Sequence, residues 1–347
     1  PADASDVLAL LAQPGGLIST PPALLAHLSR AVGGMDLMAI VNAAQTANSA
    51  DASRLYELWL EANGGQIAAC AVWFNLGVLR GRAGNPAAAA MAYRAALVLK
   101  PDLAEAAINL GAALESQGLI EAALASWRSA LPAAPLRQVL HNQLGRVLES
   151  QGQLGAAAAE LHASLLITPD QPDVQQHLIH LRQRMMAWPP AELSVPGLDG
   201  ATAARHCGPL AALALCDDPA DQAAAAADWI TRKVPKPGAA LAPQQGYAHD
   251  RIRIGYLSTD FCRHAMSFLI AELLERHDRS SFEVFGYCAS PEDGSDIRQR
   301  VIAAFDHFIP ISALSDSQAA TRMRADEIDV LIDLNGLTKG ARPEILR

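Results

Sequence analysis

The sequence predicts an α-solenoid followed by an α/β lobe built on a parallel sheet. Three observations carry this. Columns of like residues recur every 34 positions between residues 70 and 169. Beyond residue 251, short apolar β-rich runs alternate with helical runs of about ten residues, the pattern of βα units. The 347 residues are 51% hydrophobic but only 5% aromatic. An alanine-rich, aromatic-poor chain suits closely packed helices better than a β-sandwich.

The period of 34 sets the first half. Pro101, Pro135 and Pro169 keep it, as do Gly84, Gly118 and Gly152. So do Leu76, Leu110 and Leu144, each followed by a glycine at 77, 111 and 145. Tyr93, Trp127 and Leu161 hold one bulky column, and Ala96, Ala130 and Ser164 a small one. This order at this spacing resembles the tetratricopeptide repeat, with three units over residues 70–169. Each unit reads as helix, turn, helix, proline. The small residues let two helices approach, the bulky one fills the gap, and the proline stops the second helix. One unit cannot bury its own face, so neighbours stack.

Counting back 34 places Trp59 in the bulky column and Ala62 in the small one. Helices are expected over 36–48 and 51–63, and a capping helix over 173–187. The superhelix therefore spans 36–187. Residues 1–35 form a short helical segment broken by Pro14, Gly15, Gly16, Pro21 and Pro22. Asn75, Asn109 and Gln143 fall once per repeat before the Leu-Gly pair. An amide both donates and accepts, so this column could grip the backbone of an extended peptide in the groove; it could equally be solvated or tie helices together. His177 and His180 lack an acidic or cysteine partner within a turn, so no metal site is expected there or elsewhere.

Residues 188–250 read as a linker with helices over 204–215 and 221–233. The lobe follows over 251–347. Strands are expected at 251–258, 282–287 and 328–334, with helices at 267–277, 295–305 and 317–326 between them. Ligands of such sheets bind beyond the carboxyl ends of the strands. The loops there carry Asp260, Arg263 and His264; then Ser290, Glu292 and Asp293; then Asn335, Gly336, Thr338, Lys339 and Arg342. A helix beginning beside Ser267 would favour an anion. No G-x-G-x-x-G or Walker loop occurs, which weakens a dinucleotide or nucleoside-triphosphate reading.

G-Y-L-S-T-D-F-C-R-H (255–264), F-E-V-F-G-Y (282–287), D-H-F-I (306–309) and N-G-L-T-K-G-A-R (335–342) resemble the amino-terminal catalytic half of the O-GlcNAc transferases. That family combines a tetratricopeptide array with two Rossmann-like lobes in the GT-B arrangement, and the order here matches a bacterial relative. The resemblance implies inverting transfer of N-acetylglucosamine from UDP-GlcNAc to serine or threonine hydroxyls of proteins held by the repeats. It implies catalytic roles for His264 and His307, and a donor-side role for Asp260 and for the loop Asn335, Gly336, Thr338, Lys339 and Arg342. His264 suits a base, because imidazole titrates near neutral pH, or it positions the donor. No metal or cofactor beyond the donor is expected. The second lobe is not in this sequence, so the nucleotide contacts are expected from further sequence or a companion chain. The alternative is a tetratricopeptide scaffold with an inactive lobe.

Lys and Arg total 27 against 36 Asp and Glu, a net charge of −9 that argues against a general nucleic-acid binder. Five cysteines, none in a C-x-x-C pair, suit isolated thiols in a reducing compartment. There is no long uncharged apolar run and no basic-then-apolar leader, so no membrane partner and a cytoplasmic location are expected.

Overall fold

The structure, a computed structural model, describes residues 22–346 apart from 133–135, 237, 239, 240, 244 and 339. Pro135 and Lys339 therefore lie outside the described residues. The chain divides between Gly200 and Ala201 into two compact units, each described by itself. The expected linker is split: residues 188–200 group with the repeats and 201–250 with the lobe.

The first unit is a stack of helices: α1 (Pro22–Gly33), α2 (Leu37–Thr46), α3 (Ser49–Asn63), α4 (Ala69–Arg82), α5 (Pro86–Leu99), α6 (Ala104–Ser116), α7 (Ile120–Ala130), α8 (Arg137–Ser150), α9 (Leu154–Ile167) and α10 (Pro172–Arg184). Asp36 and Asn48 cap α2 and α3 through their side chains, and Asn85 caps α5 ahead of Pro86. Gly84, Gly118 and Gly152 take φ of +74°, +75° and +74°, which closes each turn at a conformation costly for other residues. The columns pack as their chemistry requires. A β-carbon on Gly77 would stand 2.5 Å from the Tyr93 ring, and one on Gly145 2.6 Å from Leu161. Helix α1 is more than an isolated segment. Its Leu28 and Val32 are buried in one cluster with Ile40, Leu55, Trp59 and Leu76, so the solenoid core begins before residue 36.

The second unit opens with α11 (Gly200–Arg205), α12 (Pro209–Leu215) and α13 (Pro219–Lys233). The single helix expected over 204–215 is broken at Gly208, whose φ is +87°, and Pro209. The sheet has four parallel strands, β1 (Ile252–Ser258), β2 (Phe282–Cys288), β3 (His307–Pro310) and β4 (Val330–Asp333), in the order β3-β2-β1-β4. Helices α14 (Ala265–Glu275), α15 (Asp296–Ala303) and α16 (Asp316–Ala325) connect them. Ile254, Tyr256, Val284 and Leu274 fill one core, and Leu257, Phe285, Tyr287 and Met323 the other. A sheet buried on both faces is what continuous apolar strands require.

The expectation of three strands misses β3. Its four residues are too few to show a period, and pairing with β2 creates the strand. The Asp306 carboxylate accepts the Val284 amide at 2.7 Å and the Asp306 amide donates to Val284 O at 2.9 Å, which sets that register.

Candidate active site

Strand order reverses direction at β1: β2 and β3 lie to one side and β4 to the other. The crevice outside the carboxyl ends of β1 and β4 is the switch point, where open α/β sheets take ligands. Two of the loops singled out in the sequence meet there. Asn335, 6% exposed, accepts the Thr259 amide on Oδ1 at 2.8 Å and donates Nδ2 to Asp260 Oδ2 at 2.8 Å. Asp333, at the end of β4, accepts the amides of Asn335 and Gly336, each at 3.0 Å. The Thr338 hydroxyl donates to Asn335 O at 2.9 Å.

The β1 loop is equally bound. Ser258 Oγ accepts the Asp260 amide at 3.0 Å, and the Ser267 hydroxyl donates to Asp260 O at 2.7 Å. His264 is the N-cap of α14, is exposed, and takes the Met266 amide on Nδ1 at 3.3 Å. The same Nδ1 lies 3.7 Å from Asp260 Oδ2. Ser267 is buried and its hydroxyl points back at the loop.

From the β2 loop, Asp293 accepts the Arg263 amide at 2.6 Å. That amide and the Ser295 amide hold its carboxyl below the usual range. Burial, then the charges of Asp293 and Asp260, pushes the Cys262 thiol up, so it is a poor nucleophile at neutral pH. Arg298, 4% exposed, donates to Phe261 O and pairs with Glu292 at 2.8 Å, fastening the β1 loop to α15.

Other residues singled out in the sequence are engaged within the fold. His307 is not at the ligand edge. It begins β3 opposite Phe285, three residues before the strand end at Pro310 and on the far edge strand. Strand geometry puts it about 10 Å back from the carboxyl edge and about 10 Å across from β1. It is exposed, stacks on Phe285 at 4.4 Å and bonds Glu283 at 2.8 Å. Arg342 does not reach outward. Its guanidinium holds Asp316 at 2.5 Å, Ile311 O at 2.9 Å and Leu314 O at 2.7 Å. The groove amides are not idle. The Asn75 amide faces the Tyr56 hydroxyl and the Asn109 amide the Tyr93 hydroxyl, each a tyrosine of the preceding helix pair. Gln143 accepts from Arg146, itself paired with Glu115. His177 likewise has a partner in Glu149.

Sequence reasoning overlooked Asp333, Ser258 and Arg298. Short polar residues at the end of an apolar strand were the available signal for the first two. Arg298 left none, because a helical arginine reads as surface charge until its burial is seen.

The second unit is a Rossmann-like α/β lobe with polar loops locked across its switch point. Residues 228–347 match the family Glycosyl transferase family 41. A 95-residue segment is 44% identical to the "Probable UDP-N-acetylglucosamine--peptide N-acetylglucosaminyltransferase SEC" of Arabidopsis thaliana, covering 27% of this chain and 10% of that protein. A 96-residue segment is 43% identical to the UDP-N-acetylglucosamine--peptide N-acetylglucosaminyltransferase of Caenorhabditis elegans, covering 27% and 8%. A solved mutant of the Thermobaculum terrenum O-GlcNAc transferase aligns over 78% of this chain and 46% of its own, with 25% identity and a TM-score of 0.38. The matched segment spans about a tenth of the length of these curated relatives. Over the residues matched, the lobe is similar to the O-GlcNAc transferases and to family 41 glycosyltransferases. Among the described residues no helix is long and apolar enough to cross a membrane.

Proposed function

We propose that this chain is the acceptor-binding array and amino-terminal catalytic lobe of a protein O-GlcNAc transferase. The reaction is inverting transfer of N-acetylglucosamine from UDP-GlcNAc to serine and threonine hydroxyls. The observation that carries the reading is the locking of the Thr259–His264 loop to Asn335 at the switch point, inside the segment that matches family 41.

In the transfer, the acceptor oxygen bonds to the anomeric carbon from the face opposite the diphosphate. The bond from that carbon to the phosphate oxygen breaks, and UDP leaves with its electron pair. The hydroxyl proton passes to Nε2 of His264, which faces away from the loop that holds Nδ1. The second lobe of a GT-B pair, from sequence outside these residues or from a companion chain, supplies the uridine and diphosphate contacts. The repeats hold the acceptor. An amide that faces one tyrosine hydroxyl still has further donor and acceptor positions for a bound backbone, so Asn75 and Asn109 can serve both. Thr338, in the loop after β4, serves the donor side. The compartment is cytoplasmic, in keeping with five free thiols.

A second role for His264 has its own observation. The Met266 amide on Nδ1 favours the tautomer that carries hydrogen on Nε2, and that form would donate to the donor rather than take a proton.

The test joins these residues to the second lobe and supplies tritiated UDP-GlcNAc with a protein acceptor. Alkali-labile label on serine or threonine is the expected result. No label would leave the scaffold reading. Label only from a different UDP-sugar would correct the donor.

A further inference from the structure

Asn335 is buried, yet both ends of its amide are used, and the two partners leave only one orientation. Thr259 offers an N–H, so Oδ1 must face it. Asp260 offers a carboxylate oxygen, so Nδ2 must face that. The oxygen that Nδ2 holds, Oδ2, is the one 3.7 Å from Nδ1 of His264. Asp260 is further fixed by Ser258 Oγ on its amide, the Ser267 hydroxyl on its carbonyl, and the Thr259 hydroxyl on Oδ1 at 3.3 Å. The carboxylate is thus held beside the imidazole.

Nδ1 of His264 therefore stands between two groups of opposite demand. The Met266 amide needs a lone pair, and Asp260 needs an N–H. If Nδ1 carries the hydrogen, Nε2 has a lone pair for a substrate proton. If Nδ1 accepts, Nε2 carries the hydrogen and is no base. The Met266 amide sits in the first turn of α14, where water can satisfy it. A fixed carboxylate is harder to replace. Hydrogen bonds to a catalytic imidazole are often long before substrate arrives and close afterwards.

We propose that Asn335 is a positioning residue: its amide holds the Asp260 carboxylate beside Nδ1 of His264 and so leaves the Nε2 lone pair facing the crevice. The kinetic consequence rests on the transferase reading; the tautomer consequence rests on the loop alone.

The experiment is long-range 1H–15N NMR of His264 in the 347-residue chain, at about pH 8 where imidazole is neutral. The parent protein is expected to show mainly the Nδ1–H form. Asn335→Ser, whose hydroxyl can still take the Thr259 amide but cannot reach Asp260, is expected to show mainly Nε2–H, as is Asn335→Ala. Should the alanine variant not fold, the serine variant decides. An unchanged tautomer in a folded variant, or Nε2–H already dominant in the parent, would overturn the proposal. With the second lobe present, Asn335→Ser should lower kcat on the order of 10²-fold, the low end of what a general base contributes, and leave the donor KM within about threefold. A purely structural asparagine would lower the melting temperature without moving the tautomer. Absence of transfer by the parent enzyme would remove the transferase reading and leave the NMR result standing.

Discussion

The indole of Trp127 lies across the backbone of Gly111, so close that a β-carbon there would stand 2.0 Å from Nε1. The ring has nowhere to go. It is fully buried, and Nε1 donates to Ile108 O at 3.1 Å. Gly111→Ala should therefore destabilise the array despite alanine's better helix propensity, since overpacking costs about 1–3 kcal/mol and propensity returns about 1. Gly155, at the start of α9, has open space for 4 Å around the place a β-carbon would take, and the same change there should be neutral or stabilising. Urea midpoints of the two variants test this. Equal shifts in both would refute the packing account.

His264→Ala in the two-lobe enzyme should lower turnover by roughly 10²–10⁴-fold with UDP affinity little changed, as expected for a general base. A parallel loss of UDP-GlcNAc affinity would mark the residue as a donor-positioning group instead. Turnover within about threefold of the parent would place it outside the chemistry.

His307 should behave differently. The His307 hydrogen bond, ahead of Arg253, holds the Glu283 carboxyl below its ordinary range. His307→Ala should let that carboxyl titrate higher and leave transfer within about threefold of the parent, at a stability cost under about 1 kcal/mol for so exposed a pair. Carboxyl NMR titration and a transfer assay measure both. A collapse of turnover with Glu283 unmoved would return His307 to the site.

The paired variant Asn75→Ala, Asn109→Ala removes the amides that face the Tyr56 and Tyr93 hydroxyls and should lower the stability of the array modestly, read as a urea midpoint. If these amides also hold acceptor backbone, transfer to protein should fall further than donor hydrolysis does. Hydrolysis and transfer falling together, in a folded protein, would confine the amides to packing.

His249 gives the lobe a pH dependence. Its Nε2 faces Glu327 at 2.9 Å and its Nδ1 faces Asp329 at 3.1 Å, so only the imidazolium can donate to both. Those two hydrogen bonds, Glu327 first, raise its pKa, against burial and the nearby charge of Arg253. Tyr247 stacks on the ring, and Arg324 lies over Tyr247. A raised folded value means the contribution is complete below the unfolded pKa near 6.5, and is lost as pH rises through the folded value. The C2-proton titration of His249 should have its midpoint above 6.5, and His249→Gln should flatten the decline in lobe stability over that range. A midpoint at or below 6.5 would contradict the bridging geometry.

The solenoid was legible in the order of residues alone, because a 34-residue period repeats one local solution: a glycine under a bulky side chain, a left-handed glycine at the turn, a proline after the second helix. So were β1, β2 and β4 and the loops at their carboxyl ends, since continuous apolar runs and polar loop residues are local signals. What crosses between distant segments was not legible in that way. Only strand pairing made 307–310 a strand, and that pairing is what carried His307 away from the crevice. Only the juxtaposition of β1 and β4 set Asn335 on Thr259 and Asp260, 76 and 75 positions away. Arg342 was read as a donor-side residue, and the groove amides were left open between peptide, solvent and helix contacts, because a polar side chain shows its type in the sequence and its partner only in the fold. Hydrogen bonds and burial are pairwise in space, and a period or a motif records one member of the pair.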